Sequence, residues 1–347
     1  MNDPYSPKES AAKRARLVIV ATGGTIAGAA KAATQTTGYR AGALPVERLL
    51  EAAPGLERLA ELETDAVCAL DSKDMSTAVW LTLSRRIAAH LSRDDVDGVV
   101  VTHGTDTLEE TAYWLHLTVP SDKPIVLTAA MRPATAISAD GPLNLYDAVC
   151  VAASTKSRGK GVMFVFAQKI FSAREVTKIS TYSVEAFTAG EAGVLGWVQD
   201  GQVSFQRSQI RRHTADSRFA PIADLAQAAD IPDVEVLASH AGATGRATRA
   251  LVESGVSGIV VMGTGNGSIH ADLQAALSEA VRHGVVVVRS SRLDVPRVTP
   301  EGGAPDEALG FVCASSVNAF KARVLLMLTL AQGVRDVATI RRIFDEY

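Results

Sequence analysis

The most regular feature of the chain is a series of short apolar runs, each bounded by glycine, proline or polar turn residues. The runs cover residues 17–21, 99–102, 125–128, 162–167, 234–238, 259–262 and 285–289. Most of them lack the alternation of apolar and polar residues that a half-exposed strand shows, so they fit strands buried on both faces. The pattern therefore predicts strands inside sheets that are covered on both sides.

Helical spacing of apolar residues occupies the stretches between several of these runs. Residues 108–115 and 273–281 each place leucine and alanine on one face of a helix. Residues 318–330 are apolar enough for a helix packed inside the protein, with Asn318 as its N-cap. The alternation of strands and helices predicts an α/β fold of parallel-type sheets flanked by helices.

The length and one shift in composition indicate two domains. At roughly 100–200 residues per domain, a chain of 347 residues is long for a single core. Residues 211–233 are rich in Arg, Ser, Ala and Asp, contain two prolines and show no sustained strand pattern, so we place the linker there. We predict a larger N-terminal α/β domain at residues 16–210 and a smaller C-terminal α/β domain at residues 234–347.

Composition and charge favour small solutes as partners. Hydrophobic residues make up 47% and charged residues 21% of the chain, so nothing suggests disorder or a fibre. No apolar run approaches the roughly 20 residues that span a bilayer. The formal net charge of -3 and the pI near 6.2 give no basic surface for nucleic acid or an anionic membrane. We predict a soluble globular protein without a nucleic-acid or membrane partner.

The cysteines, the histidines and the N-terminal segment exclude further classes. The three cysteines lie far apart without C-x-x-C spacing, so neither a disulfide framework nor a zinc knuckle is predicted. The seven histidines lack ligand spacing such as H-E-x-x-H, and we predict no metal and no other cofactor. The first fifteen residues lack the apolar segment of a secretory signal. This predicts a cytoplasmic protein, or a periplasmic one if a signal was removed earlier.

Two threonines follow directly on apolar runs and sit in glycine turns, Thr25 in A-T-G-G-T-I-A-G and Thr105 in T-H-G-T-D-T. Because the carboxyl ends of neighbouring parallel strands meet at one crevice, we expect these hydroxyls to converge on a ligand site. Gly23 and Gly24 allow a sharp turn that presents an exposed hydroxyl at Thr25. A phosphate cradle is the weaker alternative, because the lysine of G-x-x-x-x-G-K-[ST] and the G-x-G-x-x-G spacing are missing.

Three further polar residues gain interest from this duplication but also have ordinary explanations. Asp106 follows the second threonine and is either a functional carboxylate or only a helix N-cap. Tyr39, in a Gly- and Thr-rich stretch, is either a mobile lid over Thr25 or a surface tyrosine. Lys178, in R-E-V-T-K-I-S-T, is ordinarily a solvated charge and matters only if it meets Thr105 and Asp106.

With these motifs the sequence resembles the bacterial type II L-asparaginases and glutaminase-asparaginases. The two signature motifs are A-T-G-G-T-I-A-G at residues 21–28 and T-H-G-T-D-T-L-E-E-T-A at residues 102–112. The further matching motifs are D-S-K-D-M (71–75), A-M-R-P (130–133), S-A-D-G-P (138–142), V-T-K (176–178), G-N-G (265–267), V-V-R-S-S-R (287–292) and K-A-R (321–323). The resemblance covers nearly the whole chain.

The resemblance implies a catalytic role for five residues. Thr25 would be the nucleophile and Tyr39 its hydrogen-bonded activator on a flexible loop. Thr105, Asp106 and Lys178 would form a second group across the substrate. An amide carbon is a poor electrophile, so an activated hydroxyl and donors for the developing charge suit its hydrolysis. An Asp partner favours the charged form of Lys178, which would then orient Thr105 and the attacking water.

The resemblance also implies how the substrate and the subunits are arranged. Ser72 and Asp106 would hold the carboxylate and ammonium of an amino acid. The main chain around Thr105 and Ala130 would face the developing oxyanion. The family forms homotetramers built from intimate dimers, with active sites at the subunit interface, and needs no cofactor.

Three positions depart from the family pattern. Lys73 stands where a Gln or Glu usually helps to hold the substrate ammonium; it would repel that ammonium unless it swings outward or pairs with Glu301. An ungapped alignment places Gly303 where a neighbouring subunit normally supplies a carboxylate, with Glu301 two residues away. Ser268 replaces an asparagine after G-N-G, as in relatives that accept glutamine, and this predicts relaxed specificity.

The sequence therefore predicts an asparaginase-like amidohydrolase that converts L-asparagine to L-aspartate and ammonia. One alternative is an amidase for a substituted asparagine or for a peptide or tRNA-linked amide, which Lys73 would tolerate better. Another is a catalytically silent small-molecule sensor. The second hydroxyl-amine pair of Thr105 and Lys178 argues against the sensor, because binding alone does not need it.

Overall fold

Strands and helices alternate along the chain, for which the computed structural model describes residues 14–225 and 227–347. The strands are β1 (Ala15–Gly23), β2 (Ala60–Leu70), β3 (Gly98–Thr102), β4 (Ile125–Thr128), β5 (Val162–Phe166), β6 (Lys169–Ser172), β7 (Thr177–Lys178), β8 (Phe187–Thr188), β9 (Gly196–Gln199), β10 (Gln202–Phe205), β11 (Val234–Ala238), β12 (Gly258–Gly263), β13 (Val286–Ser291) and β14 (Val312–Cys313). The α-helices are α1 (Val46–Glu51), α2 (Leu56–Leu59), α3 (Thr77–Leu91), α4 (Leu108–Thr118), α5 (Gly141–Ala153), α6 (Arg246–Glu253), α7 (Ala271–Arg282), α8 (Asp306–Leu309), α9 (Ala319–Ala331) and α10 (Val337–Glu346).

A large mixed sheet organises the N-terminal domain, in the strand order β10-β9-β6-β5-β4-β3-β1-β2. Strands β2, β1, β3, β4 and β5 pair in parallel, whereas β6, β9 and β10 add antiparallel pairs. This antiparallel extension is a difference from the parallel sheet expected from the sequence. The chain reverses at Ala167 and Gln168, whose φ angles of 48° and 63° fit the tight hairpin turn between β5 and β6.

A smaller parallel sheet organises the C-terminal domain, in the strand order β11-β12-β13-β14. Successive residues of β12 face two different cores: Ile259 and Val261 pack with Leu277 of α7, and Val260 packs with the cluster that contains Leu326 of α9. Burial on both faces explains why these strands show no polar alternation. The two helix-flanked, mainly parallel sheets confirm the predicted α/β class.

Helix α9 links the two domains. Asn318 caps it, since its side-chain oxygen accepts the main-chain N–H of Lys321 at 3.0 Å, and the leucines at its centre are fully buried. The predicted packed helix at residues 318–330 is thereby confirmed. Neither α9 nor any other helix in the two described ranges is long and apolar enough to cross a membrane.

The stretch assigned to the linker contains short 3-10 turns. They cover Thr214–Asp216, Ala220–Asp224 and Ala228–Asp230, and β11 begins directly afterwards. Phe219 is nevertheless fully buried, so this stretch packs onto the domains it joins. The predicted boundaries at residues 210 and 234 stay a prediction.

A buried carboxyl group in α5 makes the stability of the fold depend on pH. Asp147 is 2% exposed, its Oδ2 has no hydrogen-bond partner among the described residues, and burial raises its pKa to about 7. Because the folded state holds this proton more tightly than the unfolded state, the associated stability is present in acid and lost as pH rises through about 7.

We therefore expect Asp147→Asn to stabilise the protein more at high pH than at low pH. The difference in free energy of unfolding between the variant and the unmodified protein should be about 2 kcal/mol larger at about pH 8 than at about pH 5. Urea unfolding at both pH values measures this difference. The same substitution at the exposed Asp94 serves as the control and should give no pH-dependent gain. An equal effect of Asp147→Asn at both pH values would contradict the prediction.

Candidate active site

The ends of β1 and β3 lie against each other, main chain on main chain. A Cβ atom added at Gly24 would lie 2.3 Å from the main-chain nitrogen of Gly104. Gly23 and Gly24 have φ angles of 101° and 81°, a region that residues with side chains rarely adopt. Glycine is therefore required here by both conformation and close approach. The turns that carry Thr25 and Thr105 consequently meet at one edge of the sheet.

Thr25 and Tyr39 form the first hydroxyl pair. Their side-chain oxygens are 2.6 Å apart. The tyrosine ring also lies against Gly28, where an added Cβ would be 3.0 Å from the ring. Thr25 is only 8% exposed, so the prediction of an exposed hydroxyl is wrong. The reason is that the loop of Tyr39 covers the turn. The Thr25 hydroxyl is therefore hydrogen-bonded to Tyr39 beneath the tyrosine loop.

The loop of Tyr39 and its surroundings keep the phenol protonated. Main-chain hydrogen bonds between Ala29 and Arg40 close the loop at 3.0 and 3.1 Å. Burial raises the pKa of Tyr39, the hydrogen bond with Thr25 opposes this, and the negative charge of Asp106 adds to the rise. At neutral pH the tyrosine is therefore suited to passing a proton along a hydrogen bond rather than to acting as a resting phenolate.

Lys178 joins Thr105 and Asp106 in the second group. Its ammonium donates to the Thr105 hydroxyl oxygen at 2.8 Å and to Asp106 Oδ1 at 2.6 Å. The lysine side chain is 18% exposed, so the solvated-charge alternative is wrong. The N-cap alternative for Asp106 is also wrong, because Thr107 is the N-cap of α4. This arrangement places a positive charge directly beside a buried hydroxyl.

Ser72 is tied to the second group through the turn after β3. Its hydroxyl oxygen accepts the main-chain N–H of Asp106 at 3.2 Å, and its carbonyl oxygen accepts the Thr107 hydroxyl at 2.7 Å. A Cβ added at Gly104 would lie 2.6 Å from the serine hydroxyl. The predicted substrate-binding serine therefore lies at the same strand end as the second hydroxyl group.

Ala130 lies at the end of β4, in a turn that Asp140 holds. The next two main-chain N–H groups donate to the Asp140 carboxylate at 2.9 Å each. A Cβ added at Gly141 would lie 3.0 Å from Ile26 and 3.4 Å from Ala130, so this turn packs on the turn of Thr25. Asp140 is a site residue that was not predicted, although an acidic residue before Gly-Pro at a helix start is a usable signal.

Lys73 is exposed and pairs with its sequence neighbours. Its ammonium lies 2.5 Å from Asp74 and 3.6 Å from Asp71, and its side chain is 61% exposed. The hydrogen bond with Asp74 raises the pKa of Lys73. Within the chain it does not pair with Glu301, whose carboxylate accepts the main-chain N–H of Glu307 at 2.8 Å. The outward orientation is the one the structure has.

Ser268 and Glu301 belong to a separate loop cluster in the C-terminal domain. Main-chain hydrogen bonds of 2.8 Å join Ser268 to Thr264 at the end of β12. A Cβ added at Gly303 would lie 2.4 Å from the carbonyl oxygen of Asn266, so a side chain has no room there. The exposed carboxylate of this loop is instead on Glu301. Among the hydrogen bonds and ion pairs of the described residues, none joins this cluster to the two hydroxyl groups.

Two protein-family models match this chain. The family model described as "Asparaginase, N-terminal" matches residues 16–211, and that described as "Glutaminase/Asparaginase C-terminal domain" matches residues 233–344. The first of these matches includes all five predicted catalytic residues, which are Thr25, Tyr39, Thr105, Asp106 and Lys178.

Individual relatives match over almost their full length. L-asparaginase 2 of Escherichia coli (strain K12) is 41% identical over 331 residues, which is 95% of this chain and 93% of that protein. Glutaminase-asparaginase of Pseudomonas fluorescens biotype A is 40% identical over 98% of this chain and 92% of that protein. The crystal structure of a probable cytoplasmic L-asparaginase from Campylobacter jejuni is 43% identical and has a TM-score of 0.92, covering 96% of this chain and 100% of that chain. The chain therefore belongs to the asparaginase family.

Proposed function

We propose that the protein hydrolyses L-asparagine to L-aspartate and ammonia through an acyl-enzyme on Thr25. The observation that carries the proposal is that two clusters of side chains lie on turns that meet at one edge of the sheet. In the first cluster Thr25 bonds to Tyr39, and in the second Lys178 bonds to Thr105 and Asp106. Hydrolysis in two steps needs a nucleophile with a proton partner and a second centre that activates water. The names of the asparaginase and glutaminase-asparaginase relatives add support.

In the first step the Thr25 oxygen attacks the side-chain amide carbon of the substrate. Its proton passes to the Tyr39 oxygen 2.6 Å away, and the phenol proton passes to the amide nitrogen. The C–N bond then breaks, ammonia leaves and an ester bond to Thr25 remains. Main-chain groups around Thr105 and Ala130 face the carbonyl oxygen as it becomes negative, which lowers the barrier.

In the second step water attacks the ester carbon. Thr105 accepts a hydrogen bond from Lys178 and orients the water, while Asp106 holds the ammonium of Lys178 in place. The ester C–O bond breaks and the proton from water returns to the Thr25 oxygen. Ser72 and Asp106 hold the carboxylate and ammonium of the substrate through both steps. The exposed Ser268 and the Pseudomonas relative support glutamine as an additional substrate.

Ammonia release from a panel of amides tests this function. The panel contains L-asparagine, L-glutamine, D-asparagine and an N-substituted asparagine. We expect L-asparagine to have the highest kcat/KM. Turnover of the N-substituted amide alone would replace the proposal with the amidase alternative, and binding of L-asparagine without ammonia release would favour the sensor.

We expect Lys73→Gln to leave the KM for L-asparagine within about threefold of its original value, since an exposed ion pair contributes little. The lysine ammonium is already paired with the Asp74 carboxylate. Asp74→Asn is the informative companion, because it removes the nearer of the two carboxylate partners of the lysine and should raise KM. A tenfold or larger fall of KM in Lys73→Gln would mean that the lysine faces the substrate ammonium.

We also propose a homotetramer of intimate dimers, in which Glu301 and Ser268 approach the active site of a neighbouring subunit. Support comes from their separation from the hydroxyl groups within the chain, and from exposed apolar residues near β7 and the loop after β13: Ile179, Tyr182, Leu293 and Val295. Light scattering after size exclusion should give the mass of four chains, and a monomer would contradict this.

A cytoplasmic location stays a prediction, which cell fractionation tests.

A further inference from the structure

The catalytic lysine is carried by a very short strand. Lys178 lies in the two-residue strand β7, which pairs with the equally short β8 and joins neither large sheet. An isolated two-stranded hairpin is marginally stable by itself. A cavity of about 360 Å³ also opens beside it, with Thr177, Asn318 and Lys321 in its lining. The precise placement of the ammonium therefore needs support from outside the hairpin.

Glu109 supplies part of this support from the first turn of α4. Its side chain is buried, which raises the pKa of the carboxyl, and the Lys321 ammonium, the Thr177 hydroxyl and the Lys178 main-chain N–H are among the nearby groups that oppose this rise. Asn318 of the C-terminal domain donates to the same carboxylate and to the Thr177 oxygen, both at 3.2 Å. An amide from the C-terminal domain thus joins the Glu109 carboxylate to the Thr177 side chain, directly before Lys178.

Lys321 completes the contact from the next turn of α9. Its side chain is 1% exposed, and its ammonium lies 3.9 Å from the Glu109 carboxylate. It donates to the carbonyl oxygens of Arg174 and Val176, just before β7 begins. A buried lysine needs partners for its charge, and here all of these partners belong to the N-terminal domain.

We propose that Glu109, Asn318 and Lys321 form an interdomain clamp whose function is to position Lys178 against Thr105 and Asp106. The three are positioning residues, because their hydrogen bonds hold Thr177 and the segment just before it, and none of the bonds among the described residues joins them to Thr105 or Asp106. The C-terminal domain thereby sets the geometry of the catalytic lysine in its own chain. This inference rests on the proposed function, because the proposed function is what gives Lys178 a chemical role.

The neighbouring pair Glu110 and Arg323 provides a matched control. It also joins α4 to α9, with the same N–O distance of 3.9 Å. Arg323 donates to Val234 rather than to the segment before β7. Arg323→Met therefore removes an interdomain ion pair without touching the clamp.

Asn318→Ser is the mildest test, because serine keeps an N-cap oxygen for α9 and removes the amide that holds Glu109 and Thr177. We expect kcat for L-asparagine to fall about tenfold with KM little changed, since small displacements of catalytic groups are costly. Arg323→Met should retain kcat. In a Lys178→Met background the effect of Asn318→Ser should disappear, because both substitutions act through one group. An equal loss of kcat in both backgrounds would mean a merely structural role.

Hydrogen–deuterium exchange of the Lys178 amide separates the clamp from the proposed function. We expect exchange about tenfold faster in Asn318→Ser than in the unmodified protein or in Arg323→Met. Glu109→Gln gives a second perturbation of the same amide. Faster exchange in a protein that hydrolyses no amide would retain the clamp and overturn the function. Unchanged exchange and unchanged kcat in an active enzyme would overturn the clamp alone.

Discussion

Thr25→Ala is expected to lower kcat for L-asparagine by at least roughly a thousandfold, the scale at which nucleophile removal acts in hydrolases. The substitution deletes the oxygen that attacks the amide and leaves the Tyr39 phenol without its partner at 2.6 Å. Because the threonine lies in a 3-10 turn and not in a core strand, the fold should survive. Ammonia release and thermal unfolding on one preparation measure both effects.

Two controls show whether the loss comes from the Thr25 hydroxyl itself. Thr25→Ser retains an attacking oxygen and should retain measurable turnover. Thr22→Val, three residues earlier, removes a buried hydroxyl that bonds to the carbonyl of Thr102. This substitution should lower the free energy of unfolding and leave kcat close to its original value. Turnover within tenfold of the original in Thr25→Ala would remove Thr25 from the nucleophile role.

Thr105→Ala is the second substitution with a large expected effect, a fall in kcat of about 100-fold or more, which is the usual range for loss of acid–base assistance. It separates the Lys178 ammonium from the reacting water, because the lysine would keep Asp106 as its partner but lose the hydroxyl at 2.8 Å. If this hydroxyl serves mainly the second step, the acyl-enzyme accumulates. Pre-steady-state ammonia release should then show a burst followed by a slow phase.

Lys178→Met tests whether Thr105 and Lys178 act as one unit. Residues that act together give effects that do not add. We therefore expect the double variant to be about as slow as the slower single variant. Multiplicative losses of kcat would show that Lys178 and Thr105 serve the reaction separately.

The apolar pattern predicts the interior strands well, because burial on both faces leaves a continuous apolar run. It does not predict β2, an edge strand in which most positions are exposed or only partly buried and charged residues such as Glu61 and Glu63 interrupt the apolar ones. It also misses β7 and β8, since strands of two residues have no periodicity. Length and burial therefore decide which elements a sequence pattern can indicate.

The candidate site divides in the same way. The Thr25 and Thr105 turns follow from local glycine patterns, and Tyr39 lies only 14 positions from its partner. The contact between Lys178 and Thr105 spans 73 positions, and its detection depended on the family resemblance. The link from Glu109 to Asn318 spans 209 positions and crosses two domains. Such contacts arise from the packing of α9 on α4, which no local pattern encodes.

Peptide mass spectrometry of an acid-quenched reaction tests the central claim most directly. The unmodified enzyme and Thr105→Ala are mixed with L-asparagine and quenched within the first turnover, with Thr25→Ala as the blank. We predict an aspartyl ester on the peptide that contains Thr25, more abundant in Thr105→Ala and absent from the blank. An ester on the Thr105 peptide of the unmodified enzyme, or stoichiometric ammonia release with no ester on any peptide, would contradict the threonine-nucleophile mechanism.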